Sequence, residues 1–163
     1  IEVYNLVIDN EPFTPEAAQA QYKVGLCHFT LKEYIEAAYE YRRVVEDYST
    51  SDWVDEASHD LAMCYYEASL PPDYDQSPSQ LAVNAMDDFL QRYPGDERET
   101  DMEGKREEMR ERIAQQRLNT ARFYEKRQKY DAARIYYEVV VKQFPETQAA
   151  QEAQKWLGAA GQS

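Results

Sequence analysis

Residues Tyr22 to Ser49 read YKVGLCHFTLKEYIEAAYEYRRVVEDYS, and this stretch recurs in altered form along the chain. Its second half places Tyr34, Ala37, Ala38, Tyr41, Val44, Val45 and Tyr48 at gaps of three, one, three, three, one and three residues, which sets them all on one helical face. Its first half carries Gly25, small enough for a second helix to approach closely. A shift of 37 residues lays Ala57, Leu61, Ala62, Cys64 and Tyr66 on Ala20, Val24, Gly25, Cys27 and Phe29. A shift of 45 lays Ala82, Met86, Phe89 and Tyr93 on Ala37, Tyr41, Val44 and Tyr48, and a shift of 96 matches Ala121, Tyr130, Ala133, Tyr137, Val140 and Phe144.

A small residue, then Ala twelve positions on, a large ring four further and a proline eight beyond is the tetratricopeptide (TPR) pattern of about 34 residues. The gap of 13 from Pro12 to Gly25, Ser49 to Ala62 and Pro145 to Gly158 repeats too, which chance likeness between amphipathic helices does not explain. The expected fold is all-α, a right-handed superhelical solenoid of TPR-like helix pairs forming a single domain over residues 1–163. Gly25, Ala62 and Ala121 are expected opposite Ala37, Ala82 and Ala133. The start at Ile1, inside a repeat, is expected to be an N-terminal truncation of a longer chain.

Of the 163 residues, 14 are Tyr, so much of the packing must use rings that keep a polar tip near water, which suits a thin array. The net charge of −13 repels phosphate backbones and anionic membrane surfaces, so nucleic acid is not an expected partner. No run approaches the roughly 20 apolar residues that span a bilayer. Cys27 and Cys64 occupy equivalent places in successive repeats, too far apart for a disulfide, and are expected as small buried apolar residues.

Along the chain, residues 1–10 read as a second helix with Val3, Tyr4, Val7 and Ile8 on its apolar side and Pro12 ending it. Thr14 as N-cap and Pro15 in the first turn open the next helix, to about Leu31; its partner runs from Glu33 to about Tyr48. Ser49 to Asp52 cap a helix from Trp53 to Ser69. The proline-rich stretch 70–79, LPPDYDQSPS, is expected to bulge as a loop before a helix from Gln80 to Tyr93. Glu97 to Gln128 reads as one long helix, with Met102, Met109 and Ile113 on its seam. Glu103 with Arg106, Glu107 with Arg110, and Glu108 with Arg112 are expected as pairs along its surface. Helices over 130–144 and 147–159 follow, and Gly161 to Ser163 are expected to fray.

His28 and His59 have no Cys or acid at a familiar metal-ligand spacing, the five glycines form no phosphate-cradling loop, and there is no serine nucleophile elbow. The residues point to a binding scaffold rather than an enzyme, with no cofactor and no metal. Counting from Gly25, the groove-facing positions of the TPR pattern fall on Gln19, Tyr22, Leu26, Phe29 and Thr30, then on Glu56, His59, Met63, Tyr66 and Glu67. As an apolar cleft with Gln19 and His59 as hydrogen-bonding groups, they suit an extended peptide with apolar or aromatic side chains. The alternative is that Tyr22, Phe29 and Tyr66 pack between helices.

The order DxxxxxxAxxAxxxFLxRYPxxE from Asp75 to Glu97, the long charged helix, and the phrases FLQRYPGDE, FYEKRQKYDAA and FPETQAAQEA resemble the BamD (YfiO) family of outer-membrane protein assembly lipoproteins. Residues 1–69 match it only as TPR repeats. The resemblance implies a scaffold of the β-barrel assembly machinery at the periplasmic face of the outer membrane. Its implied partners are a POTRA domain of BamA, unfolded outer-membrane proteins recognised through their C-terminal signal, and other lipoproteins of that complex. It directs the BamA contact to Arg134, Tyr136, Glu138 and Lys142, although the basic residue the family tends to carry near Tyr136 is missing. The family's lipidated cysteine is also missing, so contact with the membrane is implied only through an anchor absent from this chain. The other family considered, the Tol-Pal-associated CpoB C-terminal domain, shares the YxxAxxxYxxxxxxYP phrase but lacks the long charged helix.

Overall fold

The structure is a computed structural model and describes residues 1–160; the fraying expected of Gly161 to Ser163 lies outside them. Among the described residues eight helices follow one another: α1 (Glu2–Asn10), α2 (Pro15–Thr30), α3 (Tyr34–Asp47), α4 (Val54–Ala68), α5 (Ser77–Arg92), α6 (Glu99–Lys126), α7 (Tyr130–Gln143) and α8 (Gln148–Ala160). Each packs on the next, and α6 also meets α8, so the main core is a seam from α2 to α8, with smaller clusters around Ile8, Ala20 and Val24 and around Ala17, Ala18 and Tyr48.

The repeat positions lie in that seam. Ala37, Ala82, Ala133, Ala62 and Ala121 are completely buried, as are Tyr41, Phe89, Met86, Met102 and Met109. At Gly25 the close neighbour is not Ala37. A β-carbon there would stand 2.8 Å from the ring of Tyr41, so the small residue of α2 makes room for the largest buried side chain of α3.

Local chemistry sets the helix ends. Thr14 Oγ1 accepts the Ala17 N–H at 3.1 Å, and Pro15 follows at the first position, where no N–H is needed. Thr14→Ala is expected to cost about 1 kcal/mol, read as a lower midpoint in urea denaturation. An unchanged midpoint would show that α2 is held by packing alone. Lys32 and Gln128 end α2 and α6 with φ of 63° and 59°. The N–H of the next residue, Glu33 or Lys129, returns to His28 or Tyr124 O at 2.9 and 3.0 Å, closing each helix by the same left-handed turn. Neither residue is Gly or Asn, so this turn carried no sequence signal.

Several expectations are corrected. The connection expected over 70–79 is shorter, because α5 begins at Ser77, and it is an exposed loop tied to itself. Buried Gln76 donates to the carbonyls of Leu70, Pro71 and Tyr74 at 3.3, 2.9 and 3.1 Å and accepts from Ser79 Oγ at 2.9 Å. Of the charge pairs expected along α6, only Glu108–Arg112 forms within the helix. Arg106 reaches Asp87 of α5 at 3.0 Å and Arg110 reaches Glu146 and the Gln143 carbonyl, because the helix faces its neighbours where it was read as facing water. In α1 only Ile8 is buried, while Val3 is 73% exposed.

Candidate functional site

The face built by α2 and α4 holds the residues expected to line a groove, and the structure divides them. Gln19 lines a cleft of about 690 Å³ against α1, with Val3, Leu6 and Val7. Leu26 and Thr30 border a second space of about 740 Å³ beside Ile1 and Val3. These residues are exposed and open toward α1.

The others are tied to one another. Tyr22 is buried, its ring 4.8 Å from that of Trp53 and 5.3 Å from that of Tyr41, and its hydroxyl donates to Asp60 Oδ2 at 2.7 Å. It therefore packs between helices, the alternative that the sequence left open. Burial first, then the hydrogen bond to Asp60, pushes its phenol above the ordinary range. His59 Nδ1 meets Asp60 Oδ1 at 2.9 Å, and its ring stands edge-on to Phe89. Phe29 is half-buried and meets Tyr34 edge-on. Tyr66 is half-buried and donates to Glu108 Oε2 at 2.7 Å, while half-buried Met63 has neither bond nor ring contact to hold it. Glu56 is held at 3.0 Å by Arg98, which also grips Asp96 at 2.8 Å. The Arg98 side chain thereby lowers the Asp96 carboxyl to about 2.

Aspartate 60 and arginine 98 are the organising charges of this face, and sequence reasoning missed both. Their partners come from other elements: Tyr22 lies 38 residues before Asp60, and Glu56 lies 42 before Arg98. No spacing signals such a contact. Neither histidine is part of a metal-holding group; among the described residues no cluster of three or more His, Cys, Asp or Glu is placed to hold an ion. Cys64 is buried and Cys27 half-buried, and both are free thiols.

At the other end, Arg134, Glu138 and Lys142 stand at successive four-residue steps of α7 and are exposed, forming one outward row. Tyr136 does not share it. Its ring stacks on Tyr124 at 5.4 Å and 14°, which makes it half-buried packing between α6 and α7. Glu111 of α6, also unforeseen, accepts the N–H groups of Gln148 and Ala149 at 2.6 and 3.1 Å and so caps α8.

A sequence model of the YfiO family, described as outer membrane lipoprotein, matches residues 6–162. The outer membrane protein assembly factor BamD of Caulobacter vibrioides is 24% identical over 153 residues, 94% of this chain and 50% of that protein. The chain thus spans about half the length of this relative.

Proposed function

We propose, from the premise that this chain belongs to the YfiO family of outer membrane lipoproteins, that it is a non-catalytic scaffold of outer-membrane β-barrel assembly. The observation that carries the reading is the family match from residue 6 to residue 162, which takes in every described helix after the first turn of α1. In this reading residues 1–163 are one TPR-like domain whose helix pairs wind into a right-handed superhelix. It works at the periplasmic face of the outer membrane, where the family's lipid anchor holds it.

Two surfaces do the work. The row Arg134, Glu138 and Lys142, edged by Tyr136, meets a POTRA domain of BamA and brings the other lipoproteins of that complex into place. Its mixed charge suits an interface that selects its partner by complementarity more than by buried area. Exchanging Arg134 and Lys142 for Glu together reverses two of its three charges. Co-purification with BamA is expected to fall about tenfold or more, and undiminished capture would remove this row from the interface.

The second surface receives the C-terminal signal of an unfolded outer-membrane protein. Leu26, Phe29, Met63 and Tyr66 offer apolar contacts, with Gln19 and His59 as polar groups. Tyr22 supports the floor from beneath and does not touch the ligand. A fluorescent signal peptide titrated against Leu26→Ala with Met63→Ala is expected to bind about thirtyfold more weakly than to wild type, since each truncation removes contact worth about 1 kcal/mol. These exposed and half-buried positions leave the helices intact, which circular dichroism checks. Binding that survives both would leave a scaffold that holds subunits without reading clients.

A further inference from the structure

Charge is distributed unevenly along this chain. Residues 1–100 contain six Lys and Arg against 21 Asp and Glu, whereas residues 101–163 contain twelve against ten. The basic residues concentrate further: residues 117–134 hold six, Arg117, Arg122, Lys126, Arg127, Lys129 and Arg134, against only Glu125 and Asp131. Glu125 is engaged by the Tyr137 hydroxyl at 2.7 Å.

These residues lie where α6 outruns its neighbour. From the turn at Gly95, α5 runs back for 16 residues and α6 onward for 28. The excess of a dozen residues is about 18 Å of helix. The 69–76 connection covers α6 as far as Asn119, whose amide donates to Asp73 at 3.1 Å. Beyond it Phe123 is 48% exposed, and past the turn Tyr130 and Ile135 are 57% and 61% exposed. The Arg127 guanidinium lies 4.3 Å over the Phe123 ring. Lys126, Arg127, Lys129 and Arg134 are exposed and form no ion pair among the described residues, while Arg106, Arg110, Arg112 and Arg122 all do. In a chain with 31 acids and 18 bases, four neighbouring cations that form no ion pair, with Asp131 and the engaged Glu125 as the acids among them, are not what composition produces.

We propose that the corner between α6 and α7 docks on an anionic phospholipid surface. Phe123, Tyr130 and Ile135 enter the interface, and Lys126, Arg127, Lys129 and Arg134 meet the lipid phosphates. Rings and branched apolar side chains ringed by long basic ones are what a lipid–water boundary takes: the rings sit among the headgroups and the alkyl stems follow them down. Membership of a family of outer membrane lipoproteins makes a phospholipid surface a standing neighbour of the chain. The net charge of −13 opposes approach of the molecule as a whole. At physiological ionic strength, however, the screening length is about 8 Å, less than half of the about 18 Å overhang, so a surface touching the corner senses the corner and little of the acidic repeats. The site shares Arg134 with the BamA surface proposed above and otherwise uses residues of neither that surface nor the peptide-binding one, so Arg134 is left unchanged in the test.

The test is flotation of residues 1–163, without lipid anchor, with vesicles of phosphatidylcholine alone or with about 30% phosphatidylglycerol, at about 50 and about 300 mM salt. Binding is expected to anionic vesicles only and to weaken at the higher salt. Neutralising Lys126, Arg127 and Lys129 to Gln should lower the partition coefficient about a hundredfold, near fivefold per charge. Phe123→Ala with Ile135→Ser should lower it further at unchanged helicity. Phe123→Trp should show a blue-shifted emission with anionic vesicles, over the background of Trp53 and Trp156. Wild-type protein that stays out of anionic vesicles at low salt, or that floats equally well after the triple neutralisation, overturns the proposal. So does a triple variant that loses capture of BamA while the wild type ignores vesicles, for then the corner faces a protein. Loss of peptide binding leaves it untouched.

Discussion

Tyr41→Ala is expected to destabilise the chain by about 3–5 kcal/mol, the cost of emptying a completely buried ring site. The same ring makes Gly25 irreplaceable. Gly25→Ala puts a β-carbon 2.8 Å from Tyr41 Cδ1 and Cε1, and the ring, completely buried and packed on Tyr22, has no room to give, so the backbones must part. The expected cost is about 1–3 kcal/mol. Joined to Tyr41→Leu, the Gly25→Ala change should cost far less, with a coupling energy of about 1 kcal/mol or more in urea denaturation. Strict additivity would mean that the helices do not meet there. Ala37→Leu and Ala133→Leu overpack two separate pairs and should cost about 1–3 kcal/mol each and add, because sites this far apart share no partner.

Alkaline unfolding should be steep. Burial is the main force that raises the phenols of Tyr22, Tyr41 and Tyr137 and pushes the Cys64 thiol up to about 12. Hydrogen bonds to Asp60 and Glu125 add to this at Tyr22 and Tyr137. Each folded value lies above the unfolded one, so the stabilisation is complete below about pH 8.5 for the thiol and about pH 10 for the phenols. It is lost as pH rises toward the folded values, at about 1.4 kcal/mol per pH unit per group. Four groups together remove about 5 kcal/mol per unit, comparable with a domain's whole stability. Melting temperature should be level from about pH 7 to 9 and collapse above about 10. The buried rings of Tyr22, Tyr41 and Tyr137 should ionise only with the loss of helical signal. Ionisation of Tyr22, Tyr41 and Tyr137 near pH 10 with the helices intact would contradict the packing described.

Much was decided within single helices. Ala37, Tyr41 and Val44, with Ala133, Tyr137 and Val140, share a face because the helical turn is a local property, and all six are buried. Thr14 and Pro15 open α2 by bonds that span three residues, and the seam of α6 was legible in Met102, Met109 and Ile113. The phrases from Phe89 to Glu97 and from Phe123 to Ala133 carried the family, which the match over residues 6–162 then established.

What only the tertiary structure decided is which way the intermediate residues turn once two helices press together. Tyr22 and Leu26 lie four apart and looked alike as groove positions, yet Tyr22 is buried against Trp53 while Leu26 stays 38% exposed. Arg106 and Arg110 had acids within reach on their own helix and bonded instead to Asp87 and Glu146, 19 and 36 residues away. The exposure of Phe123 depends on how far α5 reaches along α6, and the hold of Gln76 on its loop depends on carbonyls turned inward by the whole connection. An isolated charge pair on a helix is worth only a few tenths of a kcal/mol. The crossing of two helices, set by the burial of Tyr41, Phe89 and Met102, outweighs it and rotates such side chains toward partners that no spacing in the sequence records.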